Sequence, residues 1–171
     1  IHAIKMKPSR LESPGIVQVP GDLSSAAFFI VGAILSEDSE VTIKNVGLNP
    51  LRTGFIEILK MMGANISIFD LKKINGETVG SLTAKSSDLN GIEVPSNLIA
   101  SSIDELPLIA LAGSQANGKT SIRNAKELRV KESDRISSMI KMMQNLTISV
   151  DEFDDGMDIF GGTINGATIN S

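Results

Sequence analysis

The 171 residues carry a formal charge of −4, 42% hydrophobic side chains, no cysteine, tryptophan or tyrosine, and a single histidine, His2. That is enough apolar content for one domain with a real core, and it excludes disulfides, thiolate metal sites, thiol nucleophiles and any chemistry built on an internal histidine. The acidic balance and the missing aromatics argue against a nucleic-acid platform, and the longest apolar run, LSSAAFFIVGAILS (23–36), is too short to cross a bilayer.

Residues 1–15, with Pro8 and Pro14, read as a strand and linker leading into the first repeated unit. A short apolar strand, GIVQVPGD, then leads to Asp22, and an apolar helix is predicted over 24–35. Because it is hydrophobic all round, it should be buried all round. An alternating strand follows at 40–46, then an amphipathic helix, RTGFIEILKMMG (52–63), then two strands at 65–71 and 79–85. The same succession returns. GIEVPSNLIASSID leads to Asp104, an apolar helix follows over 105–115 and a strand over 119–124. An amphipathic helix is predicted over 131–146, with Ile136, Met139, Ile140 and Met143 on one face, and strands over 147–151 and 157–160 close the unit.

The echo is also literal. KMMGANISIF (60–69) returns as KMMQNLTISV (141–150), and VTIKN (41–45) as TSIRN (120–124), each about 80 positions on. The fold class is therefore α/β (α+β): two consecutive βαβαββ units with buried apolar helices, the first over 16–87, the second over 88–171 together with the start of another element. One unit cannot bury such a helix alone, so several must bring these helices together with the sheets outside. Two units read as an incomplete set, and the chain, which opens on Ile1, as a piece of a longer protein. The apolar helices should then keep an uncovered side, which predicts self-association or a partly rearranged core.

With histidine and cysteine gone, chemistry falls to Asp, Glu, Lys, Arg and Ser. The stretch ELRVKESDRI (127–136) sets Arg129, Lys131 and Arg135 about a helix start, where the helix dipole favours anions. With a helix beginning near Lys131, Lys131 and Arg135 share a face and Glu132 neighbours Arg135, an arrangement suited to a phosphate or carboxylate ligand. The alternative is a solvated ion-pair patch neutralised by Glu127, Glu132 and Asp134. The matching stretch of the first unit, NPLRTGFIE, has only Arg52, so the fold itself does not require the cations. Asp104 reads either as the N-cap of the helix after it, as Asp22 does for its own, or as a base facing the start of the second helix. Were Asp104, Lys131, Glu132 and Arg135 to converge, they would supply a base, an anion clamp and a second carboxylate. Ser96, Ser101 and Ser102 read as turn or cap residues, the paired methionines at 61–62 and 142–143 as core, and GGTING (161–166) as a turn.

LRVKESDRI (128–136), with PGDLSSAAFF (20–29) upstream, closely resembles the 5-enolpyruvylshikimate-3-phosphate (EPSP) synthase, or 3-phosphoshikimate 1-carboxyvinyltransferase, family. The repeat is independent support, since that family is built from βαβαββ units. The resemblance spans essentially the whole chain but well under half of the family's length. It implies transfer of the enolpyruvyl group of phosphoenolpyruvate to the 5-hydroxyl of shikimate 3-phosphate, with release of phosphate, in the cytoplasmic route to chorismate and the aromatic amino acids. It implies addition and elimination through a tetrahedral intermediate, with no metal or organic cofactor, no nucleic acid and no membrane, in a monomeric parent enzyme. Carried over residue by residue, Asp104 is the proton acceptor and contacts shikimate 3-phosphate, and Lys131 binds the same substrate. Glu132 takes part in proton transfer on the phosphoenolpyruvate side, and Arg135 clamps phosphoenolpyruvate. Glu127 departs from family members that carry an asparagine there. The family's N-terminal Lys-Ser and Arg, its Gly-rich loop, its Ser-Ser-Gln stretch and its C-terminal Asp-His-Arg and Lys do not occur here, so this chain alone is expected to be inactive. The rival readings are the sister family, UDP-N-acetylglucosamine enolpyruvyl transferase, an RNA-binding module built from similar units, and a non-catalytic relative.

Overall fold

The computed structural model of the chain describes residues 3–10 and 12–169. His2 lies outside them. Residues 3–10 and 12–20 form neither helix nor strand.

Helix α1 (Leu23–Leu35) starts where the sequence reading puts it, because Asp22 caps it by accepting from the Ser25 amide at 2.8 Å. Strand β1 (Glu40–Gly47) follows, then α2 (Gly54–Met61), β2 (Asn65–Ile74) and β3 (Glu77–Lys85). Asn75 and Gly76, both at positive φ, make the tight two-residue turn between β2 and β3. The sheet runs β1-β3-β2, antiparallel throughout. In the second unit a short helix α3 (Ser96–Ile99) and a 3₁₀ turn (Ala100–Ser102) precede α4 (Leu106–Ser114). Then come β4 (Lys119–Ile122), a 3₁₀ turn (Lys126–Val130), α5 (Arg135–Asn145), β5 (Ser149–Phe153) and β6 (Gly156–Phe160). This sheet runs β4-β6-β5, the same topology.

The expected leading strand of each unit is reduced to parallel bridges, Gly21 with Val46, and Asn90 with Asn117 and Glu93 with Ser121. Pro20 and Pro95, which have no amide hydrogen, end each ladder early. Helices α1 and α4 pack side by side, and one apolar cluster runs through both units from Ile30 and Ile34 to Ile109, Ile136 and Met143. Burial on all sides does not hold for α1. Phe28 and Phe29 are each 66% exposed, and Leu108 and Leu111 of α4 are only partly covered. The expectation that two units leave these helices with an open side is met instead. The methionine pairs also split: Met62 and Met143 are buried, whereas Met61 is exposed.

The second amphipathic helix begins at Arg135, not near Lys131. Asp134 is the reason: its side chain accepts from the Ser137 amide at 3.0 Å and fixes the N-cap there. Lys131 instead ends the 3₁₀ turn in extended backbone.

Candidate active site

The loop from Lys126 to Asp134 is held before any ligand is considered. Arg129 ties it down, with its guanidinium 2.8 Å from Asp134 and 2.9 Å from Glu152. It also donates to the carbonyls of Asp154 at 2.9 Å and Phe153 at 2.7 Å. The loop is thereby bolted to the β5–β6 hairpin and to the cap of α5. The Ser137 amide, and then Arg129, hold the Asp134 carboxyl below its ordinary range. Of the three cations that drew attention in the sequence, Arg129 is fully engaged within the fold.

The other two face Asp104. Arg135 Nη1 lies 3.6 Å and Lys131 Nζ 3.9 Å from the same oxygen, Asp104 Oδ1. Lys131 also lies 3.4 Å from Glu127 Oε1, and Arg135 Nη2 makes a 2.6 Å hydrogen bond to Glu132 Oε2. Asp104, Lys131, Glu132 and Arg135 thus come together on one open surface. The cations are the more sheltered members, with side chains 25% and 27% exposed, against 51% for Asp104 and 78% for Glu132. The convergence does not need the helical i, i+4 relation, because Lys131 reaches the site from the loop and Arg135 from the first turn of α5. The Glu132 carboxyl is held below its usual range, first by its own backbone N–H and then by Arg135. At neutral pH it is an ionised acceptor.

Asp104 is not a helix cap. The N-cap of α4 is Glu105, whose side chain makes no capping bond to that helix. The alternative reading of Asp104 as a cap therefore fails, and among the described residues its carboxylate pairs with the two cations. Ser101 and Ser102 donate to the Leu98 carbonyl at 3.1 and 2.7 Å, as turn residues. Glu127 reaches the cluster through Lys131 across a four-residue spacing, as the ion-pair alternative expects of it. A cleft of about 710 Å³ lies at the far ends of α1 and α4, lined by Glu37, Asp88, Gln115 and Asn117, and takes no part in this arrangement.

Two cations aimed at one carboxylate oxygen, with a second carboxylate beside them, can hold multiply anionic ligands and move protons without a metal. No described helix is long and apolar enough to cross a membrane. The family described as EPSP synthase (3-phosphoshikimate 1-carboxyvinyltransferase) matches residues 2–171. A 3-phosphoshikimate 1-carboxyvinyltransferase of Petrotoga mobilis is 52% identical over 84% of this chain and 33% of its own length. One of Caldicellulosiruptor saccharolyticus is 51% identical over 96% of this chain and 38% of its own. The solved EPSP synthase of Acinetobacter baumannii superposes with a TM-score of 0.84 at 42% identity, covering 86% of this chain and 33% of that one. The chain thus spans about a third of the length of these relatives.

Proposed function

The chain belongs to the EPSP synthase family, and from that membership we propose that it supplies the Asp104, Lys131, Glu132 and Arg135 part of an active site that transfers the enolpyruvyl group of phosphoenolpyruvate to the 5-hydroxyl of shikimate 3-phosphate. The observation that carries this reading is the convergence of Arg135 and Lys131 on Asp104 Oδ1. Lys131 binds shikimate 3-phosphate, and Arg135 binds phosphoenolpyruvate. Asp104, beside both cations, takes the proton of the 5-hydroxyl as its oxygen adds to C2 of phosphoenolpyruvate, while C3 gains a proton. Elimination then removes a proton from C3 and breaks the bond from C2 to the phosphate oxygen. Glu132, ionised in the free site, takes up a proton once the anionic groups of the substrates lie beside it, gives that proton to C3 in the addition and takes it back in the elimination. Cations already in place lower the barrier where negative charge gathers, so no Lewis acid is needed.

Two βαβαββ units, 16–87 and 88–171 after a lead-in over 1–15, supply this part of the site. The remaining groups belong to the rest of a full-length cytoplasmic enzyme, monomeric in solution, and the 171-residue chain alone does not turn over. The test is phosphate release by the full-length enzyme containing this sequence. Both substrates are supplied, then each is omitted, and UDP-N-acetylglucosamine is offered as a replacement acceptor. Release that requires both substrates is expected. Release with either one alone, with the nucleotide sugar, or by the 171-residue chain would overturn the proposal.

A further inference from the structure

Glu105 is 4% exposed, a position that charged side chains occupy only when they are paired. It stands at the N-cap of α4, yet its side chain does not cap that helix. It crosses to the other unit, where Glu105 Oε1 accepts a hydrogen bond from the Ser24 hydroxyl on the first turn of α1. Ser24 Oγ in turn accepts from Arg52 Nη2 at 2.7 Å, and Arg52 Nη1 lies 3.7 Å from Asp22. A hydroxyl has one hydrogen to give, so the polarity of the chain is fixed: Arg52 donates to Ser24, and Ser24 donates to Glu105.

The residue before Glu105 is Asp104. The same turn is braced from below, because Glu105 N donates to the Ser102 carbonyl at 2.9 Å and the Ser102 hydroxyl to the Leu98 carbonyl at 2.7 Å. It is pressed from the side by the start of α2, where a Cβ on Gly54 would lie 2.2 Å from Ser101 Oγ. The hydrogen bond of this turn to the first unit and its close approach to Gly54 therefore fall at the starts of α1 and α2.

We propose that Glu105 is a positioning residue, and that the Arg52–Ser24–Glu105 relay holds the turn that presents Asp104 to the two cations. The first unit thereby sets the geometry of a base carried by the second, and Ser24 has its place in PGDLSSAAFF for that reason. The inference rests on the reading of Asp104 as the proton acceptor.

The experiment uses the full-length enzyme with Ser24→Ala, which cuts the relay and leaves Glu105 in place. We expect kcat to fall about tenfold, with KM for both substrates within about twofold. In an Asp104→Asn background the same substitution should cost nothing further, because the relay acts through Asp104. Glu105→Gln, which keeps the acceptor but not the charge, should retain more of kcat than Glu105→Ala. Amide hydrogen exchange over 100–106 should speed up in Ser24→Ala while exchange in α5 stays as in the parent. Unchanged exchange and unchanged kcat would overturn the proposal, as would an equal loss of kcat in the Asp104→Asn background. If the parent enzyme shows no turnover, the functional reading fails, and the exchange measurement alone decides whether the relay holds the turn.

Discussion

Asp104, with neither a capping bond nor a buried partner, has a carboxylate whose loss should cost chemistry and not the fold. Asp104→Asn in the full-length enzyme should change stability by less than about 0.5 kcal/mol, since its ion pairs are half exposed. Turnover should fall about a hundredfold or more, the scale of losing a general base. Equal loss of stability and turnover would return Asp104 to a structural role. Asp134 is the contrasting case. Its carboxyl is held low by the Ser137 amide and then by Arg129, so it stabilises the folded form in full above the ordinary aspartate range near pH 4. That contribution disappears as pH falls through the lowered folded value. Urea midpoints of the full-length enzyme should show a shallower acid decline for Asp134→Asn than for the parent, and identical profiles would remove Asp134 from the account. At this scale residue type and spacing marked out Asp104, Lys131, Glu132 and Arg135, and these side chains do lie together. Arg129 could not be separated from Lys131 and Arg135, because its partners Glu152, Asp154 and Phe153 come from a hairpin about 25 residues away in the chain.

The two helix starts that build the site differ in how legible they are. Helix α1 announces itself through Asp22 and Ser25, a local cap. The sequence places the start of helix α5 four residues early, because Lys131 and Glu132 are good helix formers and only the choice of Asp134 as cap excludes them. The leading strands were overestimated for a local reason, Pro20 and Pro95, and α3 was missed because four residues carry no periodicity. Helix α2 makes a sharper claim. Its first residue, Gly54, sits so close to Ser101 Oγ and the Leu98 carbonyl that a methyl group cannot fit. Gly54→Ala should cost about 1–3 kcal/mol of stability. Adding Ser101→Ala should recover part of it by removing the tightest contact. A neutral Gly54→Ala, measured by denaturant unfolding, would mean that α2 does not press on the Asp104 turn.

Across the whole molecule, the repeat was the most legible feature, since both sheets share one strand order and the two apolar helices meet between them. The extent of burial was less so, because it depends on neighbours beyond these two units. Phe28 and Phe29 form an exposed apolar face on α1. The 171-residue chain should therefore self-associate at micromolar concentration, and Phe28→Ser with Phe29→Ser should reduce this in sedimentation velocity. A monodisperse monomer that binds no apolar dye would contradict it. In the proposed site two cations on one surface serve two different anions. The most direct measurement is the kinetics of Lys131→Ala and Arg135→Ala in the full-length enzyme, with each substrate varied in turn. The account predicts a split. Lys131→Ala should raise KM for shikimate 3-phosphate about tenfold or more, and Arg135→Ala should do the same for phosphoenolpyruvate, each with the smaller effect on the other substrate. Unchanged phosphoenolpyruvate kinetics in Arg135→Ala, or the same effect on both substrates from both variants, would contradict it.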